Sequence, residues 1–169
     1  NYYLGCVDAK NQTFKNYFIG SVITCLLEKD STTLLIGTGD GMYSMNKKTK
    51  EINKMRMPFA SGHINTMYMH PNGDLYIGTT NSGLVILHQN GEHHIYRMQN
   101  SALLSNTIND IIPKNENDIV IVTEQNLAMF YVKQQKFLNW TEDMGLIKTY
   151  FNPRAGIHTS RGTFIVGSG

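Results

Sequence analysis

The residues that could do chemistry are few and scattered. His93-His94 is the densest group of potential ligands. A metal site needs three or four converging ligands, and no third partner stands at a ligand spacing. The pair therefore reads as a solvated strand face, and no metal is expected. Cys6 and Cys25 are isolated; Cys25 lies in the apolar run SVITCLLE and reads as a small buried hydrophobe rather than half of a disulfide. Asp30, Asp74 and Asp118 occupy equivalent turns, where Asp is favoured for its hydrogen bonds to nearby backbone. Glycoside hydrolysis needs two carboxyl groups at a fixed separation. Glu124 and Asp143 are the acids that stand outside the repeated pattern, and both read as solvated. The stretches TGDG (38–41) and TNSG (80–83) are Gly-rich, but each joins two strands, whereas a phosphate-cradling loop opens a helix. Both read as tight turns. No catalytic residue and no cofactor are expected.

What organises these residues is repetition. IGTTNSGL begins at Ile77, a near copy, IGTGDGMY, at Ile36, and a worn copy, IVTEQNLAM, at Ile121; VGSG closes the chain from Val166. The spacing is in the low forties. A period of this size, with several short strands in each unit, is that of β-propeller blades. The fold class expected is all-β: a β-propeller fragment of four-stranded antiparallel blades, about three full ones and two half ones.

Taken in order, 1–18 reads as the end of a blade, 21–60, 63–100 and 106–140 as blades, and 150–169 as the start of another. Within blades, strands are expected at Val22 to Leu27, Thr33 to Thr38, Met42 to Met45 and Lys50 to Met57; then at Ile64 to Met69, Leu75 to Thr79, Leu84 to His88 and His93 to Met98; then at Ile108 to Ile112, Asp118 to Thr123, Ala128 to Val132 and Phe137 to Trp140. Asn72-Gly73 and Asn90-Gly91 mark hairpin turns that need positive φ. Gly37, Gly78 and Gly167 recur in second strands, where Gly would let another backbone approach; Val122 breaks that rule. Thr141 to Tyr150 reads as an irregular link anchored by Met144-Gly145-Leu146.

The 169 residues suffice for a real core, and a net charge of +2 lacks the basic stripe of a nucleic-acid binder. The longest apolar runs are only a few residues, too short to span a bilayer as a helix. Asn1 is not a natural start, and the chain opens and stops inside repeats. It therefore reads as an excised fragment, and the absence of a targeting segment is silent about location.

The units follow a pattern: a strand such as Ile108-Asn109-Asp110-Ile111-Ile112, a turn, an IGT strand, a Gly-Leu strand and a short aromatic strand. The link NSALLSNTIN (100–109) and the ending Phe151-Asn152-Pro153-Arg154-Ala155 with Val166-Gly167-Ser168-Gly169 complete it. This resembles the two-component regulator propeller repeat, known from hybrid two-component systems of gut Bacteroides, over essentially the whole chain. The usual Trp before IGT is here Leu35, Tyr76 and Val120. The resemblance implies two seven-bladed propellers in the periplasm, an immunoglobulin-like domain, a membrane helix and a cytoplasmic histidine kinase. It also implies sensing of carbohydrate, often polysaccharide breakdown products.

The expected function is thus a non-catalytic extracytoplasmic sensor fragment, with the membrane reached only through a segment not present. The alternatives are a fragment of a propeller-type lyase or hydrolase acting on carbohydrate, or a protein-binding scaffold. An oligosaccharide would meet the face shared by the loops between blades and between second and third strands: Ser61 to His63, Ser101 to Ser105, Gly39 to Asp40, Thr80 to Ser82 and Glu124 to Asn126. The residues singled out are His63, Asn81, Glu124 and Gln125, with Arg154 for an anionic group. The half-blades at the two ends are complementary, which suggests a homodimer closing a ring of eight blades.

Overall fold

The computed structural model describes residues 2–59 and 62–169. Three four-stranded antiparallel sheets follow one another: β3 (Ile23–Glu28), β4 (Thr33–Thr38), β5 (Gly41–Asn46) and β6 (Ile52–Lys54); β7 (Ile64–Met69), β8 (Leu75–Thr79), β9 (Leu84–Leu87) and β10 (His93–Tyr96); β11 (Ile108–Pro113), β12 (Asp118–Thr123), β13 (Leu127–Tyr131) and β14 (Lys136–Asn139). They are flanked by two-stranded sheets, β1 (Tyr3–Asp8) with β2 (Thr13–Phe18), and β15 (Phe151–His158) with β16 (Phe164–Ser168). Each strand pairs with the next in sequence, the meander of a propeller blade. A 3-10 turn at Glu142–Met144 is the sole helical element among the described residues.

The first strands β3, β7, β11 and β15 pack against one another in chain order and form the inner layer. One apolar cluster fills each joint between sheets. Leu4, Ile19, Ile36 and Met45 fill the first. Cys25, Leu35, Met42, Ile64, Ile77 and Val85 fill the second. Tyr76, Leu84, Ile108, Ile119 and Phe130 fill the third, and Ile112, Val122, Met129 and Phe151 the fourth. Sheets covered on both faces need not alternate apolar and polar, which is why Asp118–Thr123 reads as a continuous run, buried from Ile119 to Thr123.

Several local expectations are corrected. The strand expected over Lys50 to Met57 is three residues long. Lys50 takes φ 64° in the preceding turn; Met55 keeps one bond to β5, its N–H to Met42 O at 2.8 Å, and the side chains of Met55 and Met57 pack in the second joint. At Asn72-Gly73 and Asn90-Gly91 only the Gly has positive φ, 86° and 87°. The loops are three residues long and close through His70 N to Asp74 O at 2.9 Å and His88 N to Glu92 O at 2.9 Å. A type I turn ending in a left-handed residue needs that pattern, and Gly162 (φ 81°) repeats it, with Thr159 N to Thr163 O at 2.8 Å. Asp30 is not in register with Asp74 and Asp118: it opens its turn, as Asn115 does, and accepts Thr32 and Thr33 N–H at 2.8 Å each. Gly37 and Gly78 make room for side chains rather than backbone. A methyl on Gly78 would meet Thr66 Cγ2 at 2.6 Å and Ile108 Cγ2 at 2.9 Å. In the link, Leu146 packs into the fourth joint while Met144 is exposed, so Leu146 alone is the anchor.

Candidate functional site

The face carrying the loops between second and third strands is built on one buried hydroxyl per sheet. Thr38, Thr79 and Thr123 are at most 1% exposed. The Thr79 and Thr123 hydroxyls donate to the carbonyl that closes their turn, Gly83 at 2.9 Å and Asn126 at 2.9 Å, while the Thr38 hydroxyl shares its one proton between Gly41 O at 2.8 Å and the Asp40 carboxylate at 2.7 Å. Each hydroxyl accepts an N–H from within the turn, from Asp40, Ser82 and Asn126. A buried hydroxyl must find such partners, and that is what the Thr of the IGT motif does. It fixes the turn tips while leaving Asn81, Glu124 and Gln125 exposed.

Inner strands add a second repeated device. Each of β3, β7 and β11 slips register by one residue near its start, at Thr24, Asn65 and Asn109. Such a bulge re-aims a side chain. Asn65 donates to Ile108 O at 3.0 Å and Asn109 to Phe151 O at 2.6 Å, tying each inner strand to the next. In β15 the slip grows to the whole stretch between Phe151 and Gly156, and Arg154 within it takes φ 52°. Left-handed backbone is uncommon outside Gly and points to a special local geometry. Arg154 is exposed, and its charge acts on both the Cys25 thiol of β3 and the Asp110 carboxyl of β11. Burial pushes both of those groups up, against Arg154's pull; Asp110 also accepts Ile111 N–H at 2.9 Å and Gly156 N–H at 3.0 Å.

On the same face a cavity of about 420 Å³ opens beside the link that follows β14. Trp140 and Leu146 form its apolar wall; Gln125, Asn126, Glu142 and Lys148 supply polar groups, and Lys148 pairs with Glu142 at 2.8 Å. An indole wall ringed by amides and charged side chains can hold the apolar face of a ring while bonding its polar edge.

Of the residues singled out from sequence, Gln125 lines this cavity. Glu124 is exposed, and its backbone bridges neighbouring sheets, its N–H to Thr107 O at 3.2 Å and its carbonyl accepting Phe151 N–H at 2.9 Å. Exposed His63 has its carbonyl bonded by Thr80 N–H at 3.0 Å, next to Asn81. Ser61 of the expected His63 loop lies outside the described residues. Asp40, on the same rim, is held down to about 2 by Lys54 at 2.8 Å and by the Thr38 hydroxyl. Trp140 and Lys148 were missed by sequence reasoning; the one Trp of the chain, at the mouth of an irregular link, was the available signal. His93 and His94 are exposed, as expected of a strand face, and His94 stacks on Tyr96. Among the described residues no group of three metal-ligating side chains converges.

No family model matches the chain, and no curated protein does. Solved structures do. Extracellular domains of two hybrid two-component systems of B. thetaiotaomicron superpose with TM-scores of 0.75 and 0.74, at 20% and 14% identity, over 98% and 99% of this chain. Virginiamycin B lyase of Staphylococcus aureus superposes with a TM-score of 0.74 at 10% identity, over 97% of this chain and 55% of its own. This chain spans about a quarter of the two extracellular domains, 25% and 27%. With its own sheets in sequential order around an inner layer, the likeness makes the chain a run of β-propeller blades.

Proposed function

We propose that the chain is part of a non-catalytic sensor module in the periplasm, which binds an oligosaccharide and signals through a membrane helix to a cytoplasmic histidine kinase. The observation that carries this reading is the cavity beside Trp140, an aromatic wall with polar groups around it, on the face where the turn tips converge. The likeness to extracellular domains of hybrid two-component systems supports it. Among the described residues no helix is long and apolar enough to cross a membrane, and the proposed anchor would lie in another segment. Gln125 would bond sugar hydroxyls, with His63, Asn81 and Glu124 along the same face, and Arg154 would meet an anionic group. Exposed Phe14 and Phe18 on β1–β2, and Ile157 and Ile165 on β15–β16, would be covered by adjoining blades or by a second copy of the chain.

The test is an array of neutral and uronate-containing oligosaccharides, read for binding and for products. Saturable binding without turnover is expected. Cleavage of a bound oligosaccharide would replace the sensor by a lyase or hydrolase. Binding of no oligosaccharide would overturn the reading.

A further inference from the structure

The third joint holds a crevice on the opposite face from Trp140. Its inner part, about 190 Å³, is lined by Tyr76, Tyr96 and Phe130 at the bottom and by Asp74, His88 and His94 toward the mouth. Asp74, His88 and His94 also line a shallower opening with Asn90 and Glu92, so the crevice reaches solvent. Cross-strand pairing builds it. His94 lies opposite Ile86, Ile86 opposite Tyr76, and Tyr96 opposite Leu84, so these side chains share the face of the second sheet that looks at Phe130 of the third.

Two features separate it from a packing gap. Tyr76 is 2% exposed and Tyr96 8%, yet among the described residues neither phenolic hydroxyl has a hydrogen-bond partner. Neither hydroxyl is among the sealed-off polar atoms, which are Asn139 Oδ1 and His158 Nε2. What little surface these tyrosines keep thus includes the hydroxyls, at the crevice. A hydroxyl that reaches the crevice without a partner in the protein is free to bond water there, or a ligand hydroxyl in its place. The second feature is charge. The carboxylate of Asp74 is engaged by hydrogen bonds from His88 Nδ1 at 2.9 Å and from the Asn72 amide at 2.9 Å, and among the described residues no Lys or Arg lines the inner crevice. Phenols, imidazoles and the amides of Asn72 and Gln135 can each donate and accept, over an apolar floor of Phe130, Ile86 and Val132. Such a set does not select an ion. It suits hydroxyls that themselves both donate and accept. The volume is below the ~300–1,000 Å³ of pockets for drug-sized ligands.

We infer that the crevice between the second and third blades is a binding site for one small neutral polyhydroxylated ring, held by the Tyr76 and Tyr96 hydroxyls and the Asp74–His88 pair. The site is separate from the cavity beside Trp140 and does not depend on the reading of that cavity.

The test is titration of the chain with methyl β-D-glucopyranoside, methyl β-D-galactopyranoside and methyl α-D-mannopyranoside at millimolar concentration. The imidazole signals of His88 and His94 are read by NMR and Trp140 by fluorescence. One of the three is expected to shift both imidazoles while Trp140 emission stays constant. Tyr76→Phe with Tyr96→Phe should weaken that shift at least about tenfold without lowering Tm, since removing a hydroxyl that makes no hydrogen bond within the protein is close to neutral for folding. If the double variant does not fold, His94→Ala, at an exposed position, decides by the same loss read at the remaining His88 imidazole. Imidazoles that stay still with all three sugars overturn the inference, as does undiminished binding by the folded variants. A response confined to Trp140 also overturns it, while supporting the other cavity.

Discussion

The second and third joints look alike, and the fourth departs from them. At the second and third, a Gly in the middle of the second strand (Gly37, Gly78) faces an inner-strand side chain (Cys25, Thr66), and the β-branched Ile64 or Ile108 of the next sheet presses into the space. At the fourth, Val122 stands in place of the Gly and Asp110 in place of Cys25 or Thr66. Here the next inner strand supplies Phe151 and then loops out before Gly156, which lies against Ile112 and Asp110. A repeat that gains a side chain at its tightest point must move its neighbour. The displaced segment is the one that carries Arg154 over the inner strands. The departure from the repeat thus coincides with the stretch that carries Arg154, whose charge bears on Cys25 and Asp110.

Exchanging the joint residues breaks this comparison most strongly. Gly78→Val inserts the fourth joint's side chain where Thr66 and Ile108 leave no space, and should cost about 1–3 kcal/mol or more by overpacking. Val122→Gly should cost a similar amount, about 2–4 kcal/mol, from a cavity and a looser strand rather than from a clash. Denaturant unfolding measures both. Equal tolerance of Val at 78 and at 122 would show the joints to be interchangeable.

A smaller effect is expected at the bulged residues. Asn65→Ala and Asn109→Ala each remove a buried amide bonded to the next inner strand and should cost about 1–3 kcal/mol. Thr24, the equivalent residue of β3, lacks such an amide, so Thr24→Ala should cost less, about 1 kcal/mol or below.

The smallest effects are electrostatic and opposite in sign across the two joints. Asp110 has its pKa raised above the ordinary 3.8, chiefly by burial, so the folded state holds the proton more tightly. Its contribution to stability is complete below 3.8 and is lost as pH rises through the raised value. For Asp74, burial is outweighed by the bonds from His88 and Asn72, and its pKa falls below 3.8. Its contribution is present above 3.8 and lost as pH falls. Asp110→Asn and Asp74→Asn should each flatten one limb of the stability–pH curve. Arg154→Ala should change stability by no more than about 0.5 kcal/mol but move the Asp110 titration further up, measured by carboxyl-carbon NMR. An unmoved titration would mean that Arg154 does not act on the inner layer.

Much of the fold was legible because strand spacing and the IGT period are local signals that survive in each copy. The role of the Thr in that motif was written in the repeat but appears only once the turn closes around its hydroxyl. Asp30 stands in the turn equivalent to those of Asp74 and Asp118 but at its other end, because such a turn has two ends that favour Asp for different reasons, one for capping and one for pairing across the sheet. Gln125, singled out for its turn position, lines the cavity beside Trp140. Trp140 was not singled out, because its value comes from Leu146 folding back beside it, and an irregular link carries no periodicity to announce that. Tyr76 and Tyr96 meet across neighbouring strands of the sheet, a pairing that depends on register and cannot be read from their separation along the chain.

In the proposed sensor, the face bearing Trp140 takes up an oligosaccharide. Trp140 is the only Trp in the chain, so its fluorescence reports that site without a label. For an oligosaccharide whose binding is seen by calorimetry, the emission of Trp140 should shift and saturate with the calorimetric Kd, and Gln125→Ala should weaken both readouts together. Calorimetric binding that leaves Trp140 emission unchanged would contradict the account.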